Sequence, residues 1–113
     1  MSVSLKGFNE KYVTLLAGES CTVGQPVNIT AADTAADCAS GAFAGVCVAR
    51  EGELALVQVE GFVTLPADTT ASALALGIGQ VVSSAGGKVK NGTGGRSAIV
   101  TAIRGEEAEL ILL

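Results

Sequence analysis

Three groups of residues in this chain are of types that could carry chemistry. They are the cysteines Cys21, Cys38 and Cys47, the aspartates Asp33, Asp37 and Asp68, and a glycine-rich stretch with two lysines, AGGKVKNGTGG (85–95). The chain has no histidine, so Ser/His and Cys/His dyads are ruled out and the commonest metal ligand is missing. The cysteines are odd in number and show no C-x-x-C spacing. They read as small apolar side chains in a reducing compartment, with a bridge between one pair left open. The aspartates lack the D-x-D-x-D-G order that gathers oxygen ligands around calcium, and read as turn residues. The 85–95 stretch has no Gly-Lys-Ser/Thr triplet and runs into SAIVTAI (97–103), which is strand-like. A phosphate cradle needs backbone N–H groups opening a helix, so a glycine hairpin is the expectation. No catalytic residue, metal site or cofactor follows from these groups, and the chain is expected not to be an enzyme.

The two arginines Arg50 and Arg104 stand at similar turns, each followed by Gly and Glu. One reading has them reach carboxylates on a partner; the other has each cap its own hairpin through Glu51, Glu53, Glu106 or Glu107.

The elements that must position these residues are β-like. The chain of 113 residues fits one domain, 49% of it is hydrophobic and 16% is charged, so a packed core is expected. Aromatics are only Phe8, Phe43, Phe62 and Tyr12, and fifteen glycines stand against two prolines. That mixture suits a core of Val, Leu, Ile and Ala crossed by tight turns. The net charge is −4 and the basic residues are scattered, which argues against nucleic acid as a partner. No apolar run is long enough to span a bilayer as a helix, and MSVSLKGFNEKY carries no secretory pattern.

Strand-like runs at YVTLL (12–16), PVNIT (26–30), AFAGVCVAR (42–50), ELALVQVEGFVTL (53–65), GQVVSS (79–84), KVK (88–90), SAIVTAI (97–103) and EAELILL (107–113) are separated by turn signals. Residues 69–78, TTASALALGI, suit a strand by their apolar spacing and a short helix by propensity; the helix, near 69–77, is favoured. Residues 1–11 read as an N-terminal arm, and Leu5, Phe8 and Tyr12 as apolar anchors for contacts with a neighbouring subunit or partner surface.

The order of these runs is doubled. VTLLA (13–17) returns as VTLPA (63–67), GQPV (24–27) as GQVV (79–82), and GVCVAREGELALV (45–57) as AIVTAIRGEEAELI (98–111), which lines Arg50 up with Arg104. Two pseudo-repeats, 12–61 and 62–113, are expected to face each other and bury their apolar sides jointly. The fold class is therefore all-β, a small barrel or sandwich built from two matched halves. ELALVQV and AELILL are apolar at nearly every position, so both faces of those strands should be covered, within the fold or by a neighbouring subunit.

The succession GQPVNIT, AFAGVCVA, a Gly/Glu hairpin, ELALVQVEGFV, then GQVV, GGKVKNG and SAIVTAI resembles the small capsid decoration (cement) proteins of tailed phages and prophages. The carrying motifs are Gly24 to Val27, Gly45 to Ala49 and Gly87 to Val89, and the match spans most of residues 12–113. The resemblance implies a β-barrel-like virion protein, made in the host cytoplasm. It would bind the outer capsid surface and bridge major capsid subunits, commonly as a homotrimer. Lys88 also resembles the hairpin lysine of biotinyl and lipoyl carrier domains, though without their flanking acidic or methionine residues. A carrier domain and a small-ligand or sugar-binding β module are the alternatives.

Overall fold

The computed structural model describes residues 10–68 and 74–113. Within them the chain is all-β, with nine strands and no helix. In order these are β1 (Lys11–Ala17), β2 (Pro26–Ala31), β3 (Thr34–Asp37), β4 (Gly45–Glu51), β5 (Leu54–Pro66), β6 (Gly77–Ser84), β7 (Lys88–Asn91), β8 (Arg96–Arg104) and β9 (Glu107–Leu112).

Alternating apolar residues drive strand formation because every second side chain faces the same side. In β5, Ala55, Val57, Val63 and Leu65 point inward and are buried. The first half of the chain closes on itself. β1 pairs with β3 in parallel and with β5 antiparallel, while β2 joins β3 to β4 and β4 joins β5. The second half repeats that ring. The far end of β5 pairs with β9, β9 with β8, β8 with β6, and β6 with β7. A parallel bridge between Ala67 and Val89 closes the circle. β5 therefore serves both barrels. At the crossover stands Gly61, whose φ of 100° bends the strand in a region that L side chains rarely enter.

The correspondence extends to single hydrogen bonds. Ala17 N–H donates to Glu53 O and Ala67 N–H to Glu106 O, each at 2.7 Å. Gly18 N–H reaches Ala35 O at 2.8 Å, and Asp68 N–H reaches Val89 O at 2.9 Å. In the hairpins, Cys47 faces Val57 as Val100 faces Leu110, and a bulge follows in both, between Cys47 and Ala49 and between Val100 and Ala102.

Three expectations need correction. Leu74 to Leu76 are irregular and β6 begins at Gly77, so the favoured helix is absent from the described part of 69–77; residues 69–73 lie outside the described residues. The arginines are not equivalent either: Glu51 faces Leu54 as Arg104 faces Glu107, which sets Arg50 against Ile103. A slip of one residue puts the two side chains on opposite faces. Nor do the halves share one joint core. Cys21, Val27, Ala35, Cys47, Ala55 and Val57 fill the first barrel, and a separate cluster fills the second.

The barrels are joined by an exchange of side chains. Cys38, Phe43 and Val46 of the first half pack into the second cluster. In return, the Arg96 guanidinium donates to Ala44 O and Val59 O of the first half, and to Leu113 O beside it.

Candidate interaction surface

Two features of the outer surface stand out, one on each barrel. On the first, Tyr12, Thr14 and Leu16 of β1 point outward, since Leu15 between them packs on the core. Leu54 and Leu56 of β5 also point outward, because Ala55 and Val57 are buried. Leu16 lies directly opposite Leu54 in the ladder and Thr14 opposite Leu56. Leu16 is 47% exposed and Leu54 50%. A shallow groove of about 320 Å³ runs beside them, over Thr14, Ala49, Glu51 and Leu56. Cross-strand apolar pairs of this kind, left open to water, are candidate contact surface.

On the second barrel Leu76 is 66% exposed and Ile78 76%. They flank a groove of about 420 Å³ whose other wall includes Gln80, Asn91 and Thr93. Here β6 outruns its neighbour: β7 pairs with it only from Val81 to Ser84. Gly92 N–H donates to Gln80 O, so the backbone groups of Gln80 face the β7 side. Those of Ile78, two residues earlier, face the same way. Among the described residues no strand pairs with that edge of Gly77–Gly79. An open edge beside two exposed apolar side chains can accept an added strand.

Leu5 and Phe8 lie outside the described residues. Tyr12 is on the exposed face of β1, and its O–H donates to a Glu10 carboxylate oxygen at 2.7 Å. That bond, with some desolvation and the Glu10 charge, raises its pKa above the usual phenol value. Lys11 already belongs to β1 and pairs with Glu60 at 3.2 Å, which places the start of the barrel before residue 12.

Arg50 is turned toward its own barrel, donating to Gly52 O and to Cys21 O, each at 3.4 Å. Arg104 pairs with Glu109 at 3.2 Å, across the hairpin and not at its turn. The structure thus brings Tyr12 near the first patch and leaves Arg50 and Arg104 apart from each other. Lys88 opens β7 opposite Ser84, half-buried, next to the glycine turn at Gly86 and Gly87.

Sequence reasoning names none of Leu16, Leu54, Leu76 and Ile78 as a contact residue. The signal was there for the first pair: β1 and β5 are apolar on both alternations. For the second pair the helix assignment concealed it. Asp37 is not the turn residue its type suggests: it ends β3 and accepts bonds from Ser20 Oγ (2.8 Å), Thr22 N (2.7 Å) and Thr22 Oγ1 (2.7 Å). Burial alone would raise its pKa, but these bonds and the Arg50 charge outweigh it, leaving the carboxyl below its ordinary value.

Among the described residues no cluster of three or more His, Cys, Asp or Glu could hold a metal, and no helix is long and apolar enough to cross a membrane. No protein-family model matches the chain, and no curated protein is significantly similar to it.

Proposed function

We propose that this chain is a structural docking protein that decorates the outer surface of a tailed-phage head and stiffens the shell by bridging neighbouring major capsid subunits. The observation that carries the reading is that one body presents two separate apolar patches, Leu16/Leu54 on the first barrel and Leu76/Ile78 on the second. A cement protein needs at least two contact surfaces held at a fixed spacing, because a bridge resists expansion only if both ends are attached. Two modest contacts on a rigid body reinforce each other through effective concentration, so neither has to be strong alone. The family resemblance of the GQPVNIT, AFAGVCVA and GGKVKNG runs supplies the capsid as the partner.

The test is co-sedimentation with expanded heads of the phage that carries the gene, using Leu54→Glu, Ile78→Glu and the double variant. Burying one Leu or Ile stabilises a contact by about 1.5–3 kcal/mol, so each single change should weaken binding roughly 10- to 100-fold. The double variant should stay in the supernatant. Wild-type protein that fails to pellet with heads, or a double variant that pellets as well as wild type, refutes the proposal. Light scattering of the free protein reads whether it docks as a monomer or as the trimer that the resemblance implies.

A further inference from the structure

The first barrel encloses two free cysteines in one core cluster, Cys21 and Cys47, both buried. Both side chains belong to the same small cluster; the Cys47 thiol donates to Ala49 O at 3.5 Å, and burial first, with the Cys21 thiol adding to it, pushes it up to about 11. The backbone around them is held from several sides. The Asp37 carboxylate ties down Ser20 and Thr22, on either side of Cys21. Arg50 holds Cys21 O. Gly24 N–H donates to Cys47 O at 2.7 Å, and Cys47 N–H donates to Gln25 O at 3.2 Å. Loop and strand are thus fixed against each other at this point, and a groove of about 550 Å³ lined by Val23, Gly24, Cys47 and Val48 lies alongside, with Cys47 itself fully buried. Packing does not demand thiols here. Val100, which takes the place of Cys47 in the second barrel, fills its core equally well and is 3% exposed.

We propose that Cys21 and Cys47 are a latent disulfide, formed when the folded protein meets a peroxide, and that Cys38 takes no part. One thiolate attacks a peroxide oxygen and expels hydroxide, giving a sulfenic acid. The second sulfur then displaces hydroxide from it. Overall two thiols and one hydrogen peroxide give one disulfide and two waters. The high pKa of Cys47 keeps it protonated at neutral pH, so the reaction is slow while the pair stays enclosed. Once made, the bond ties the loop before β2 to β4 and shortens the unfolded chain. Cys38 sits apart, in the second cluster, with its thiol donating to Ser40 O at 3.3 Å and to Ala42 O at 3.6 Å. The inference is independent of what the outer surface docks on.

The test treats the folded full chain with hydrogen peroxide, then alkylates it in denaturant and digests it with Asp-N and chymotrypsin. Cleavage before Asp37 and after Phe43 separates the three cysteines. Wild type and Cys38→Ser should lose the mass of two hydrogens and yield a Cys21–Cys47 cross-linked peptide. Their thermal midpoint should rise by roughly 10 °C, reversed by a thiol reductant. Cys47→Ser should show neither change. A cross-link through Cys38, oxidation of Cys21 or Cys47 to sulfinic acid in place of the cross-link, or thiols that all remain alkylable overturns the proposal. The wild-type peptide map decides the matter even if a serine variant fails to fold.

Discussion

Replacing Arg96 by methionine keeps the length and much of the volume of the side chain while deleting the guanidinium N–H donors that reach from the second barrel to the first; the backbone bond from Ser83 N–H to Gly41 O stays in place. In the native chain the guanidinium serves three carbonyls, Ala44 O and Val59 O in one half and Leu113 O in the other. A hydrogen bond from a charged donor contributes about 1.5–3 kcal/mol, so three of them have a gross value well above the stability change to expect. Part of that is offset because the guanidinium is half-buried, which lowers its pKa, with the Glu60 charge only partly opposing this. Water can also reach carbonyls that lose their donor. A net loss of about 3 kcal/mol is expected for Arg96→Met. With an unfolding entropy near 2.1 cal/mol/K per residue, that corresponds to a drop of about 12 °C in the thermal midpoint.

Arg96→Lys keeps the charge but replaces the planar fork with a point donor, and should fall between the two. Arg50→Met is the control, because its two bonds are long, 3.4 Å each, and its side chain is exposed, and it should cost less than about 1 kcal/mol. Urea and thermal unfolding followed by circular dichroism read all three. If Arg96→Met unfolds within 1 kcal/mol of wild type, or no earlier than Arg50→Met, the idea that Arg96 fastens the barrels together is wrong.

Other outcomes follow from single contacts. The Asp37 carboxyl has a folded pKa below its unfolded value of about 3.9, so the stability it adds is complete above that value and is lost as pH falls through the folded pKa. Asp37→Asn should therefore be less stable at pH 7 by about 1–2 kcal/mol and should lose less than wild type between pH 5 and pH 3, as acid titration of the unfolding midpoint will show. A Cβ on Gly45 would stand 2.3 Å from Gln58 O, a backbone atom; Gly45→Ala should cost about 3 kcal/mol or more, measured by urea unfolding, and an unchanged midpoint would disprove the clash. Deleting residues 1–9 leaves the Lys11–Glu60 pair in place. It should weaken head binding in co-sedimentation while shifting the melting midpoint by less than about 3 °C, and an unchanged binding isotherm would count against the arm.

Local pattern was enough to mark most strands and turns. Alternation in ELALVQV and the Gly/Glu signals at Gly52 and Gly105 are properties of neighbouring residues, and both glycines do lie in turns at positive φ. The doubled order of features could also be read from the residues alone, because similar strings must form similar strands. Register could not. Aligning Arg50 with Arg104 is reasonable as text, but the paired bulges after Cys47 and Val100 set the true match one residue away, and only cross-strand hydrogen bonding fixes that count. Alternation says that a strand has two apolar faces; it does not say which one the ring encloses. Closure of each half by a parallel contact, Leu16 with Thr34 and Ala67 with Val89, decided that each barrel has its own core. That closure left Leu16, Leu54, Leu76 and Ile78 outside. Arg96, unremarkable in the sequence, became the fastening between the halves because residues far apart in the chain brought three carbonyls to one point.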